Sequence, residues 1–203
     1  SWKADPRLTA IGYLDKPLTV QPSRDTIPKR LRAAGLPIND NTANLLWLDD
    51  ALGALLDTLE ATGEIDNTVI FFFNDHGQLA KGTVYQGGVH NPSIVWRKGG
   101  FPAGATSQAL VSNVDFAPTI LDLAQVDYSQ HEFDGQSFLP YLEGETPPKE
   151  RLLYFELGYA RGVRIGDWKY MAIRYPEAIE NMNLEQRAAV LKEWNDARYR
   201  RQL

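Results

Sequence analysis

Apolar residues change their spacing along the chain, and each spacing predicts a different element. Six leucines within residues 42–62 recur at helical intervals and predict an amphipathic helix that ends at Gly63: Leu45, Leu48, Leu52, Leu55, Leu56 and Leu59. The unbroken apolar run Val69–Phe73 then predicts a strand buried on both faces. Such strands are typical of parallel sheets.

The flanking regions extend this picture in both directions. Residues 1–40 are rich in proline and predict an extended loop with one short helix over residues 28–34. Downstream, strands are expected over residues 93–96 and 109–112, followed by a helix capped by Asp115. Strand and helix therefore alternate as far as residue 125, which favours a doubly wound parallel sheet.

The pattern changes after about residue 140. Residues 152–156 and 162–165 read as strands, and Gly166-Asp167 predicts a hairpin turn into a further strand over residues 168–173. Residues 184–203 are rich in helix formers. We therefore predict an α/β protein: residues 1–140 form part of a doubly wound, mostly parallel sheet flanked by helices. Residues 141–203 begin a smaller subdomain, an antiparallel β sheet with a C-terminal helix.

Composition and charge narrow the functional classes. The net charge is −5, with dispersed lysines and arginines, which argues against nucleic acid as the principal partner. The chain has no cysteine, so disulfides and thiolate metal sites are excluded. No apolar run reaches the roughly 18 residues of a membrane span. A chain that starts at Ser1 without methionine indicates a processed, cleaved or truncated product.

Two potential metal ligands, Asp75 and His76, directly follow the predicted Val69–Phe73 strand. Ligands of open α/β sheets collect beyond the carboxyl ends of such strands. Neighbouring side chains in an extended segment point opposite ways, so both reach one ion only if the backbone bends, which Gly77 permits. The plainer interpretation is a capping aspartate and a solvent-facing histidine.

A glycine-rich loop follows and carries Lys81 and His90. Lys81 is a point charge suited to an anionic ester, and His90 could donate to the same anion or carry a proton. The alternatives are an ordinary exposed lysine and a histidine that orders the turn before Pro92. His131 is expected on the surface, and other charged residues are interpreted as structural: Asp49, Asp50, Asp115, Arg164 and Lys169.

Several motifs in a fixed order resemble the second half of a type I sulfatase, a family of the alkaline-phosphatase-like superfamily. The likeness covers residues 45–170. Ordered motifs are more specific than any single one. They are Asp66-Asn67-Thr68-Val69-Ile70, Asn74-Asp75-His76-Gly77, Lys81-Gly82-Thr83-x-Tyr85-x-Gly87-Gly88-Val89, Val111-Ser112-x-x-Asp115-x-Ala117-Pro118-Thr119, Asp134-Gly135-x-Ser137-x-Leu139-Pro140 and Val163-Arg164-x-Gly166-x-Trp168-Lys169.

This resemblance implies hydrolysis of a sulfated carbohydrate or aryl sulfate ester. Asp75 and His76 would hold a divalent metal, usually Ca²⁺, although many members carry Asn where this chain has His76. Because calcium prefers oxygen ligands, Zn²⁺ or Mn²⁺ stays open. Lys81, and less strongly His90, would serve catalysis and substrate binding. Periplasmic or secreted residence is also implied.

One departure from the family concerns the nucleophile. Sulfatases use a formylglycine made from a Cys/Ser-x-Pro-x-Arg motif, which this chain lacks. Val20-Gln21-Pro22-Ser23-Arg24 mimics only its tail, with valine at the reactive position. The resemblance therefore implies that an upstream sulfatase segment or chain supplies the nucleophile and further ligands.

Two other functions compete with this one. A phosphodiesterase or phosphonate monoester hydrolase of the same superfamily often carries Asp-His-Gly, although the Lys81 loop favours a sulfatase. A non-catalytic homologue that binds sulfated glycans is the third hypothesis.

Overall fold

A computed structural model describes the chain except for residues 1–7, 10–11, 14–19, 78, 148–149 and 194–203. The fold divides into two compact units, Ser1–Thr68 and Val69–Leu203. The predicted boundary near residue 140 between a core and a smaller subdomain stays a prediction.

The first unit is mainly helical. A short antiparallel pair, β1 (Leu8–Thr9) and β2 (Gly12–Tyr13), precedes α1 (Ile27–Ala33) and α2 (Asp40–Thr62). Both predicted helices are confirmed. Helix α2 begins at a capping box in which the Asn39 side chain accepts from the Thr42 N–H at 3.1 Å, and it ends at Gly63, whose φ of 76° suits glycine.

The core of this unit lies between the two helices, where Ile27, Leu31 and Ala43 are buried. Asp50, interpreted from the sequence as structural, is buried and accepts two hydrogen bonds from Arg30, each 2.6 Å long. Its structural role is confirmed, but as half of a bidentate ion pair between helices. The Pro22-Ser23-Arg24 segment leads into a 3₁₀ helix, and the Arg24 guanidinium stacks over the Trp47 ring at 5.1 Å.

The second unit starts with β3 (Val69–Phe73), which pairs with β4 (Ser93–Arg97). Both strands are predicted correctly, but their pairing is antiparallel where a parallel sheet was expected. β3 is only partly buried, and Phe73 is 45% exposed, so the expected burial on both faces is wrong. An apolar run also carries no information on strand direction. Among the described residues of the 74–92 connection, the one-turn helix α3 (Gln86–Val89) is the sole helix, and it is too short to serve as the crossover that parallel pairing requires.

The next segment differs from expectation at residues 109–112, which form no strand. The Leu110 carbonyl accepts from the Arg151 guanidinium at 2.6 Å, and the Ser112 N–H donates to Asp115 at 2.6 Å. Side chains therefore occupy backbone groups that a strand would use. A 3₁₀ helix, Asn113–Asp115, leads into α4 (Phe116–Leu123), and α5 (Leu139–Leu142) follows.

A separate three-stranded antiparallel sheet confirms the predicted late sheet. It contains β5 (Leu152–Leu157), β6 (Ala160–Ile165) and β7 (Trp168–Ile173) in that order. A two-residue turn at Gly166-Asp167 joins β6 to β7, with Gly166 at a φ of 53°. Helices α6 (Glu177–Glu180) and α7 (Leu184–Glu193) close the described chain. The rest of the predicted C-terminal helix lies outside the described residues.

The α/β class is thus confirmed, with mixed helices and strands and a small antiparallel sheet near the C-terminal end. Among the described residues, no helix combines the length and the apolar character needed to cross a bilayer.

Candidate active site

The candidate site begins where β3 ends, and an aromatic cluster fixes that end. The Phe73 ring lies 4.6 Å from the Phe116 ring, and the Phe71 ring lies 5.6 Å from Phe116 and 6.3 Å from Phe138. The two contacts of Phe71 are edge-to-face, a geometry worth about 0.5–1.5 kcal/mol each beyond area burial, whereas the Phe73 and Phe116 rings are tilted by 34°. Phe71 thus packs against Phe116 and Phe138, whereas Phe73, which directly precedes Asn74, keeps one side exposed.

The backbone bends after Asn74 and brings the Asp75 and His76 side chains together. Asp75 Oδ2 lies 3.4 Å from His76 Nε2, and the carboxylate side chain is 81% exposed while the imidazole is 23% exposed. His76 Nδ1 lies 2.9 Å from the Gly77 carbonyl oxygen. An Nδ1–H that donates to this carbonyl leaves the Nε2 lone pair facing the carboxylate, as in histidines that bind metals through Nε2.

The loop after this pair is closed by hydrogen bonds between its two arms. The Gly77 N–H donates to the Gly88 carbonyl at 2.9 Å, and the Ala80 N–H donates to the Gly87 carbonyl at 3.1 Å. A Cβ on Gly77 would lie 2.3 Å from the Gly87 oxygen and 2.8 Å from the His90 oxygen. Glycine is therefore required at Gly77 for the arms to approach this closely.

Lys81 and His90 both lie on this closed loop with exposed side chains. Lys81 sits at its tip, next to Gly82, whose φ of 77° favours glycine. His90 ends helix α3, where its N–H donates to the Gln86 carbonyl at 2.8 Å, and its backbone passes Gly77. The structure thus brings Asp75 and His76 into contact and attaches Lys81 and His90 to the same loop. His131 is exposed, as predicted.

The donor set fits part of a divalent metal site. One carboxylate and one imidazole Nε2 can share an ion. Their proximity shows that the backbone bends as it must for two adjacent side chains to reach the same ion. The described part of the chain holds no cluster of three or more histidine and acidic side chains that could complete the coordination. Asp75 and His76 would therefore need further ligands from elsewhere.

Asn91 also supports the site, although no sequence pattern predicts a role for it. Its Nδ2 donates to the Asn74 carbonyl at 2.5 Å, across 17 residues. This bond fastens the start of β4 to the residue that precedes Asp75.

We expect Asn91→Ala to lower the free energy of unfolding by about 1 kcal/mol, because one partly buried hydrogen bond is lost. We also expect weaker divalent-metal binding, because the backbone beside Asp75 is released. Urea unfolding and metal titration measure both effects. Asn74→Ala is the matched control, since the acceptor is a backbone carbonyl that this substitution keeps. Equal losses in both variants would contradict a specific contribution of the hydrogen bond from Asn91 to the Asn74 carbonyl.

Lys169 is a second residue whose environment the sequence did not predict in full. It lies directly opposite Arg164 in the register of β6 and β7. The Lys169 ammonium is buried, has no hydrogen-bond partner among the described residues, and lies 4.4 Å from the centre of the Phe155 ring. Burial, and secondarily the charge of Arg164, lowers the pKa of Lys169 below its usual 10.5.

This lowered pKa predicts a pH-dependent stability difference for Lys169→Met. Because the unfolded chain binds the proton more tightly, the cost of the buried charge is fully present below the folded pKa and disappears as pH rises toward 10.5. We expect wild type to gain stability relative to Lys169→Met between about pH 7 and about pH 10. Urea midpoints at both pH values measure this, and a difference independent of pH would refute it.

Comparisons with known proteins now place these features in a family. The family profile described as Sulfatase matches residues 15–126, and the profile described as N-sulphoglucosamine sulphohydrolase, C-terminal, matches residues 74–197. The chain belongs to the sulfatase family, as its ordered motifs predicted.

Individual relatives agree with this assignment. An N-acetylglucosamine-6-O-sulfatase of Bacteroides thetaiotaomicron is 40% identical over 119 residues, which is 54% of this chain and 21% of that protein. The human N-acetylglucosamine-6-sulfatase is 39% identical over 110 residues, covering 50% of this chain and 20% of that protein. The chain thus spans about a fifth of the length of these curated relatives.

A solved structure shows the same fold. The crystal structure of Ps i-CgsB superposes with a TM-score of 0.60 at 22% identity, over 90% of this chain and 47% of that one. At this identity the match supports the fold alone.

Proposed function

We propose that this chain forms part of a metal-dependent sulfatase that removes sulfate from a sulfated carbohydrate. The observation that carries the proposal is the contact between Asp75 and His76, 3.4 Å apart at the end of β3, in a chain of the sulfatase family. Lys81 stands on the hydrogen-bonded loop that follows directly. Relatives that act on N-acetylglucosamine-6-sulfate support a sulfated amino sugar as the substrate class.

Asp75 and His76 would hold the divalent ion together with ligands from a segment outside these 203 residues. When bound, the ion would stabilise the negative charge that develops on the sulfuryl oxygens. The exposed carboxylate of Asp75 suits Ca²⁺, whereas the imidazole of His76 suits Mn²⁺ or Zn²⁺. The Gly77 carbonyl would keep the His76 ring oriented.

Lys81 would place its ammonium against the sulfate group and oppose the charge on its oxygens. The closed loop limits the movement of the Lys81 backbone, so less ordering is needed when the substrate binds. His90 would donate a hydrogen bond to the same group or to the leaving oxygen. The nucleophile would come from the segment that also completes the metal site, and periplasmic or secreted residence would match a sulfated-glycan substrate.

Hydrolysis by the full protein that carries this chain tests the proposal. Metal-loaded protein, with its nucleophile segment present, is incubated with N-acetylglucosamine-6-sulfate, para-nitrophenyl sulfate and para-nitrophenyl phenylphosphonate, and the released anions are measured. We expect sulfate release that stops with a chelator and returns with Ca²⁺ or Mn²⁺. Cleavage of the phosphonate alone would favour the phosphonate hydrolase. Sulfated-glycan binding without turnover would favour the non-catalytic homologue.

A further inference from the structure

The three-stranded sheet packs directly against the loop that carries Lys81. Val84 is 3% exposed and Ala160 is 1% exposed, and the two form one buried cluster. The cluster is completed by partly buried side chains from β5, β7 and the loop itself: Tyr85, Phe155, Met171 and Ile173. Val84, three positions after Lys81, therefore packs against the three-stranded sheet.

The register of the strands explains why Val84 fits there. Ala160 lies opposite Leu157 on β5 and opposite Ile173 on β7, so it occupies the middle strand of the sheet. Its methyl group is the smallest side chain in this cluster. Because the neighbouring positions carry larger side chains, Ala160 leaves the depression that Val84 fills.

Hydrogen bonds connect the seat of Val84, which is its packing position against Ala160, to Lys81. Thr83 is 4% exposed, and its hydroxyl donates to the Ala80 carbonyl at 2.7 Å and accepts from the Tyr85 N–H at 3.3 Å. A Cβ on Gly88 would lie 2.4 Å from the Thr83 oxygen and 2.5 Å from the Ala80 oxygen, so this turn is also packed from behind. Lys81 is therefore held between a bonded Ala80 and a buried Thr83-Val84 pair.

We propose that Val84 and Ala160 are positioning residues that set the location of Lys81 from the three-stranded sheet. The inference rests on the proposed function, since it concerns how the Lys81 ammonium meets the sulfate. A shift of Val84 out of its seat moves the Thr83 hydroxyl, the Ala80 carbonyl and hence the Lys81 backbone. Displacements of about 1 Å near a reacting group are enough for losses of roughly 100-fold in rate.

Ala160→Val tests the seat by filling it. In the full protein, we expect kcat for sulfate release to fall about 10- to 100-fold while metal affinity is unchanged. Adding Val84→Ala in the same protein removes as many methyl groups as Ala160→Val adds. We therefore expect most of the lost kcat to return. Ala172→Val is the matched control, because Ala172 pairs with Arg161 and points to the opposite face of the sheet. We expect it to keep wild-type kcat.

Amide hydrogen exchange of residues 80–88 provides a readout that does not require turnover. Faster exchange in Ala160→Val, reversed by Val84→Ala, is expected alongside the kcat changes. Unchanged exchange and kcat in Ala160→Val would overturn the inference, and so would a kcat loss that Val84→Ala does not rescue. Faster exchange with wild-type kcat would also overturn the positioning role, yet leave the sulfatase function standing. A wild-type protein that releases no sulfate would instead show that the proposed function has failed.

Discussion

Asp115→Ala is expected to lower the free energy of unfolding by about 3–5 kcal/mol, the usual cost of leaving a buried charge without its partner. The Asp115 side chain is fully buried and pairs with the Arg151 guanidinium, whose side chain is only 10% exposed. The same carboxylate accepts from the N–H groups of Ser112, at 2.6 Å, and Gln136, at 2.9 Å. Its loss would therefore leave the Arg151 cation without its counter-charge, although the bond to the Leu110 carbonyl would remain, and would leave two backbone donors unsatisfied.

Urea unfolding of wild type, Asp115→Ala, Arg151→Met and the double variant measures this effect. We expect the double variant to be more stable than Asp115→Ala alone, because it removes the unpaired charge. Glu132→Ala, at an exposed position, is the control and should change stability by less than about 0.5 kcal/mol. Additive losses in the double variant would contradict an ion pair.

Lys81→Ala is expected to lower kcat for sulfate release by about 100- to 1,000-fold, the usual effect of removing one group that stabilises transition-state charge. Lys81 is exposed at the tip of the closed loop, so the substitution should leave the fold and the contact between Asp75 and His76 intact. We therefore expect wild-type unfolding and wild-type metal affinity in this variant.

Steady-state kinetics of the full protein, with Lys29→Ala as the matched control, measure this loss. Lys29 is an exposed lysine of α1 and should leave kcat unchanged. A Lys81→Ala protein that keeps kcat within a factor of about two would remove Lys81 from the catalytic machinery.

Local patterns predicted most elements because their causes are local. Helix α2 has its leucine period and its Gly63 stop, and the β6–β7 hairpin has its Gly166-Asp167 turn. The strand direction of β3 and β4 could not be predicted, because an apolar run is the same in either orientation. Residues 109–112 were mistaken for a strand, because their backbone partner is the side chain of Arg151, 41 residues away from Leu110.

In the candidate site too, local patterns predict some residues, whereas others depend on contacts between distant parts of the chain. Residue types and their order along a single loop predict Asp75, His76, Lys81 and His90 as site residues, and the structure brings Asp75 and His76 into contact. The Asn91 hydrogen bond and the seat of Val84 against Ala160 depend on contacts between distant parts of the chain. Asp115 was predicted to cap α4, but its side chain makes no cap bond there and instead closes a capping box with Ser112 on the preceding 3₁₀ helix. Its pairing with Arg151 depends on the fold.

Pulsed electron paramagnetic resonance of Mn²⁺ bound to the full protein tests most directly whether Asp75 and His76 bind a metal ion. We expect a bound ion whose spectrum shows coupling to an imidazole nitrogen. His76→Ala should remove this coupling, Asp75→Ala should weaken binding by at least about tenfold, and His131→Ala should change neither. A wild-type spectrum and affinity in both His76→Ala and Asp75→Ala would contradict the account.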